Sequence, residues 1–168
     1  MNTKEDTPGY AWQINHGATA LTESWQAYDY VSNNHIMLGH IMEWFYSELG
    51  GIRQQDCSVG FKHILIDPQI VGDVTCAQTS LITQYGKIIC DWNLEADKYT
   101  LKITVPSGAD AIVALPRQYG TTICNNGMPI SQDANFRLVE NSKVSTTAQS
   151  DKIYYSVPAG TYNISITK

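Results

Sequence analysis

Residues 17 to 25 read GATALTESW, and the run Asn33-Asn34-His35 begins ten residues after Glu23. Glu23 sits among small residues and threonines, two places before Trp25. A lone carboxylate near a helix end is ordinarily a solvated surface charge. Reaching into a polar pocket, its ionised form can instead take a proton from water. His35 offers either a cap for the helix that follows or, as a neutral imidazole, one donor and one acceptor for hydroxyl groups. Trp25 offers an aromatic face or simple packing under the loop. His40 stands five residues from His35, not at the i, i+4 spacing of a metal-binding pair, and is expected on a packed face. His16 and His63 carry no signal beyond ordinary structure. Glu43 and Glu48 stand beside aromatic residues, and Asp91, Glu95 and Asp97 fall among strand patterns. No second acidic constellation in a helical context accompanies Glu23.

The four cysteines, Cys57, Cys76, Cys90 and Cys124, are widely spaced with no CxxC pair. A zinc site is therefore not expected, and no metal or cofactor is implied. The reading favours buried free thiols over disulfides, with Cys90 packing as a small hydrophobe in the apolar phase of a strand.

The elements that must position these groups change period along the chain. In HIMLGHIMEWFYSELGG, the residues Met37, Leu38, Ile41, Met42, Phe45 and Leu49 follow helical spacing. Asn33 and Asn34 offer N-cap chemistry, and Gly50-Gly51 ends the run. The earlier PGYAWQINHGATALT is a weaker helix, with Pro8 suited to its first turn and Gly17 interrupting it. Beyond Arg53–Ser58 the period becomes two. KYTLKITV puts Tyr99, Leu101, Ile103 and Val105 on one face, GKIICDWN groups Ile88, Cys90 and Trp92, and KIYYSV and TYNISI repeat the pattern. The expected fold is α+β: an N-terminal helical segment over 1–55, then an antiparallel β-sandwich over 56–168. The second helix is apolar nearly all round, so it wants neighbours on several sides.

With 43% hydrophobic and 16% charged residues, the chain can build a core. Its net charge is −5, its pI is near 5.2, and its cations are scattered singly, which excludes a nucleic-acid partner as the default. No apolar run approaches the ~20 residues of a membrane span. The opening MNTKEDTPGY is polar and acidic, unlike a signal peptide, and reads as though the chain were entered in the middle of a larger protein.

Taken in order, GYAWQINHGATALTESW, SNNH, GHIMEWFYSELGGI and GFKHILIDP resemble the C-terminal part of bacterial α-L-rhamnosidases of glycoside hydrolase family 78. GKIICDW, VPSGADAIVALP and PAGTYNISI fit the closing β-sandwich of the same family. The resemblance implies that the helical segment is the end of an (α/α)6 barrel. It implies that Glu23 is the general base of an inverting hydrolysis of terminal α-L-rhamnosides and that His35 contacts the sugar; Trp25, from its aromatic face alone, is a candidate substrate contact, with packing under the loop the favoured alternative. Here Thr22 stands where the family often has Trp, and Ser24 where it often has Arg. The partner implied is a rhamnose-containing glycoside or polysaccharide, with no nucleic acid and no membrane. The parent enzyme would be periplasmic or cytoplasmic in a bacterium.

The family's acidic motif is absent, so this chain alone is expected to be inactive and to self-associate through its exposed helices. The alternative is a non-catalytic β-sandwich module that binds carbohydrate or stabilises a barrel.

Overall fold

The computed structural model describes residues 9–24, 30–140 and 151–168. They fall into two compact units, 1–44 and 45–168.

In the first unit, helix α1 (Tyr10–Asn15) is only six residues long. Gly17 closes it with φ +80°, a conformation that side chains with a Cβ rarely adopt. The His16 ring stacks on Trp12 with centroids 4.0 Å apart, and its Nδ1 lies 2.8 Å from the Trp12 carbonyl. A second helical stretch begins as a 3-10 turn (Ile36–His40) and continues as α2 (Ile41–Trp44). The expected Asn cap is not made: His35 is the cap residue, with no side-chain cap hydrogen bond. His35 is held from outside the helix, its N–H donating to the Leu21 carbonyl at 2.7 Å. Its place is set by chain pairing, and capping chemistry plays no part. Gly39 fits tightly there, because a Cβ on it would stand 3.0 Å from the Leu21 side chain. His40 is exposed, contrary to the packed position expected of it, and its Nδ1 lies 2.8 Å from the Met37 carbonyl. Ile36, Met37 and Met42 are exposed by 80%, 67% and 52%, so among the described residues this part of the broad apolar face read from the sequence is left open, while Leu38 and Leu49 are half-buried.

The second unit opens with a π-helical turn (Phe45–Leu49) that ends at Gly50-Gly51, as the double glycine predicts. Gly51 has φ +69°, and a Cβ there would lie 2.3 Å from the backbone nitrogen of Pro68. Two sheets follow. The first has the order β1 (Ile52–Gln54), β2 (His63–Ile66), β6 (Asp110–Pro116), β10 (Lys152–Val157), β9 (Arg137–Val139). The second runs β3 (Cys76–Thr83), β4 (Gly86–Glu95), β5 (Lys98–Val105), β11 (Gly160–Thr167), β7 (Thr122–Asn125), β8 (Met128–Pro129). Their inner faces share one core. Tyr99, Leu101, Ile103 and Val105 from β5 meet Ile88, Cys90 and Trp92 from β4, Ile64 and Ile66 from β2, and Val113 and Leu115 from β6. The helical segment followed by antiparallel sheets is the architecture expected. One pair departs from it: β2 and β6 run parallel, because the chain crosses to the second sheet for β3–β5 before returning.

Two side chains tie the core to its surroundings differently. Trp92 is 2% exposed and donates its indole N–H to the Leu49 carbonyl at 2.8 Å, joining β4 to the end of the π turn. Tyr99 is fully buried and stacks on Tyr119 at 5.5 Å, but its hydroxyl has no hydrogen-bond partner among the described residues.

All four cysteines are free thiols, but only Cys90 is buried; Cys57 and Cys76 are exposed and Cys124 is half-buried. Cys57 sits in a turn with φ +62°, and Cys76 starts a strand at the sheet edge. The uniform burial expected of them therefore fails, since loop and edge positions leave a side chain in water. Burial pushes the Cys90 thiol far above its ordinary range, and the Asp91 carboxylate adds to this. In dilute native protein, a chromogenic disulfide reagent should modify Cys57 and Cys76 quickly and Cys90 only after denaturant is added. Fast modification of three or more thiols, with Cys90 identified by peptide mass, would contradict this burial.

Candidate functional site

Glu23 is bonded to Ser32, nine residues further on, through both backbone and side chain. Its backbone N–H donates to the Ser32 carbonyl at 2.8 Å, and its carboxylate accepts the Ser32 N–H at 3.2 Å. Two residues earlier, the Leu21 carbonyl takes the His35 N–H at 2.7 Å. These bonds bring Glu23 and His35 onto adjoining segments although they are twelve apart in sequence. The Glu23 side chain is exposed.

Thr22 anchors the arm beneath. It is 3% exposed, and its hydroxyl donates to the Ser24 carbonyl and accepts from Gln13 Nε2, both at 2.6 Å. Gln13, on α1, is itself buried. The residue that replaces a frequent Trp in the resembling family thus clamps the backbone on both sides of Glu23. Nothing in the sequence pattern singled out Gln13; a polar residue on the inward face of a short helix is the only signal it left. Trp25 lies outside the described residues.

A shallow cavity of about 260 Å³ runs along the same segment, lined by Trp12, His16, Thr22 and Asn33 among others. Neither Glu23 nor His35 lines it. A larger depression of about 670 Å³ covers the outer face of the second sheet. Its polar lining, including Gln78, Asp91, Asn93, Thr100 and Lys102, is what the solvent side of an antiparallel sheet ordinarily carries.

Several charged groups elsewhere are committed to structure. Asp67, 1% exposed, pairs with Arg53 and with Lys152 Nζ at 2.6 Å; Lys152 also reaches Gln69 at 3.2 Å. Asp67 follows β2, Arg53 lies on β1 and Lys152 begins β10, so this cluster closes one end of the first sheet. Asp133 accepts from Asn125 Nδ2 at 2.8 Å and from the Asn135 N–H at 3.0 Å. The Asn125 bond first, and then the Asn135 N–H, hold its carboxyl below the ordinary range. His63 and Asp110 form a half-exposed pair at 2.9 Å between β2 and β6.

Two family models match the chain. The 6 hairpin glycosidase domain of bacterial alpha-L-rhamnosidase covers residues 1–49, and the C-terminal domain of the same enzymes covers 51–127. Both matched domains belong to one family of glycosidases, represented here by a helical segment and the sandwich that follows it. The chain belongs to the bacterial α-L-rhamnosidase family and corresponds to a C-terminal part of it.

An alpha-L-rhamnosidase from Alteromonas sp. (strain LOR) is 31% identical over 132 residues, which are 73% of this chain and 14% of that protein. One from Formosa agariphila is 28% identical over 148 residues, 83% of this chain and 16% of its own length. The chain thus spans about a seventh to a sixth of these relatives. The solved alpha-L-rhamnosidase of Dictyoglumus thermophilum superposes with a TM-score of 0.77 at 26% identity, covering 98% of this chain and 18% of that one. The Streptomyces avermitilis enzyme, solved in complex with L-rhamnose, gives 0.74 at 20% identity over 98% of this chain and 15% of its own, a likeness of fold alone.

Proposed function

We propose that this chain is the closing part of an inverting α-L-rhamnosidase and that Glu23 is its general base. In this reading the helical residues within 1–55 are the end of an (α/α)6 barrel, and the sandwich that follows comprises 56–168 together with β1 (Ile52–Gln54). Inversion needs two carboxyl groups ~6.5–9.5 Å apart, one ionised and one protonated, with room for a water between them. Ionised Glu23 takes the proton of that water as its oxygen attacks the anomeric carbon. A second carboxyl, from barrel helices outside these residues, protonates the departing glycosidic oxygen. The bond to the aglycone breaks as the bond to water forms, and the sugar leaves with inverted configuration. His35 exchanges hydrogen bonds with sugar hydroxyls, and Trp25 offers its ring face to the sugar. The substrate is a rhamnose-containing glycoside or polysaccharide.

The observation that carries this reading is the lacing of Glu23 to Ser32 through both backbone and carboxylate, with His35 tied to the same arm. It supports a fixed, water-accessible carboxylate, which a general base requires. The cavity beside it, which reaches neither Glu23 nor His35, fits a site whose other walls come from elsewhere in a longer protein.

An aryl α-L-rhamnoside assay tests it. The isolated 168 residues should release no rhamnose. A chain carrying the complete six-hairpin domain should release it, and NMR of the first product should find the inverted anomer. Hydrolysis by the isolated chain would mean that a whole site lies within it, and a retained anomer would exclude the single displacement by water proposed for Glu23.

A further inference from the structure

Among the described residues each sheet of the sandwich has two edges, and three of the four are short or guarded. β1 is three residues long and carries Arg53, β9 is three residues long and carries Arg137, and β8 is two residues ending in Pro129. Shortness, charge and proline are the usual devices that keep an open edge from pairing with another chain. The fourth edge, β3, has none of them. Its eight residues, CAQTSLIT, contain no charge, proline or glycine. It pairs with β4 from Cys76↔Asn93 through Thr83↔Gly86 with no bulge.

The hairpin fixes which backbone groups are free. Its loop is the two residues Gln84 and Tyr85, so the closing pair Thr83–Gly86 exchanges hydrogen bonds and the bonding alternates from there. Thr83, Leu81, Thr79 and Ala77 therefore spend their N–H and C=O on β4. Ile82, Ser80, Gln78 and Cys76 direct theirs away from the sheet, and all four of these residues are exposed, Ile82 by 83%. Among the described residues β3 has no strand partner besides β4.

We infer that this edge is an interface between two copies of the chain, joined by an antiparallel β3–β3 ladder with Thr79 on the two-fold axis. The parity of the free groups selects the register. Only even-numbered residues can bond across the edge, so the axis falls on an odd residue with evens flanking it or on an even residue itself. Centred on Thr79, Cys76 faces the partner's Ile82 and Gln78 faces the partner's Ser80. All four outward residues are then used, for about eight hydrogen bonds. Centred on Ser80, only three are used, for about six. The pairing is isologous and closes on itself, and no like charges meet across it. The inference stands independently of the reaction proposed above.

Ser80→Pro removes an outward N–H without touching a bond to β4, and proline is tolerated on an edge strand. Sedimentation equilibrium should find the native chain dimerising and Ser80→Pro monomeric, with unchanged circular dichroism. Gln78→Lys with Ser80→Lys sets ammonium groups opposite one another and should weaken the dimer at least about tenfold. Met37→Glu with Met42→Glu, on the exposed helical face, should leave it intact. In a Cys57→Ser, Cys76→Ser background, Thr79→Cys should form a disulfide-linked dimer under mild oxidation, since a non-hydrogen-bonded pair brings the two Cα atoms to about 4.5 Å. A native chain that stays monomeric at high concentration overturns the inference. So does a dimer that survives both edge variants, and one lost only in the Met37/Met42 variant would assign self-association to the helices instead.

Discussion

Glu23→Gln, made in a chain that carries the complete six-hairpin domain, is expected to lower kcat by about 10²–10⁴-fold, the range for a lost general base. The amide is nearly the same size but cannot take a proton from the attacking water. The fold should be untouched, for a specific reason. The carboxylate contributes one structural bond, the 3.2 Å acceptance from the Ser32 N–H, and the amide oxygen of glutamine can accept the same bond. The backbone bond from Glu23 to Ser32 does not involve the side chain. KM should change little beside kcat, because water activation is needed only in the transition state. Steady-state kinetics with a melting curve on the same preparation separate the two effects. Activity above about a tenth of the native value, far outside the range expected of a lost base, would remove Glu23 from the chemistry, and an equal loss of activity and folded protein would make its role structural.

Asp67→Ala carries the largest effect on stability. Asp67 is 1% exposed and is the shared anion of Arg53 and Lys152. Removing one member of a buried ion cluster typically costs about 3–5 kcal/mol, because the partners stay behind uncompensated. The two cations retain 22% and 15% side-chain exposure, so part of their charge is met by water and the expected loss is about 3 kcal/mol, the lower end of that range. Arg53 has little slack for a new partner. Its Nε is already buried without a hydrogen bond among the described residues, and Glu48 reaches its other terminal nitrogen only at 3.5 Å. Urea denaturation of the native and Ala variants measures the difference. A loss under about 1 kcal/mol would place the cluster with ordinary surface pairs.

The strands were legible because their signal is local. Period-two alternation needs only neighbours along the chain, and the four apolar residues of β5 are all at or below 2% exposure. β3 escaped for the converse reason: at an edge, one residue after another is half-buried or exposed, so little selects for alternation. The helical stretch after His35 was legible as helix and in its end at Gly50-Gly51, but its pitch was not. Its start depends on the His35–Leu21 bond, and no cap residue can announce a bond made fourteen positions away.

Glu23 stood out in the sequence only through the order of the motifs around it. By residue type alone it was one surface carboxylate among several. What holds it, the Ser32 backbone and the Gln13–Thr22 bond, comes from residues nine positions away on either side of the clamp and belongs to tertiary structure. Asp67 marks the same limit. Its partners lie 14 and 85 positions distant, and HILIDP reads as the end of a strand whether or not they are present. The sequence by itself determined where apolar faces form, because burial follows from side-chain type and local period. Which polar groups meet was decided only when the chain returned, because hydrogen bonds and ion pairs act over a few ångströms and require their partners to be brought there.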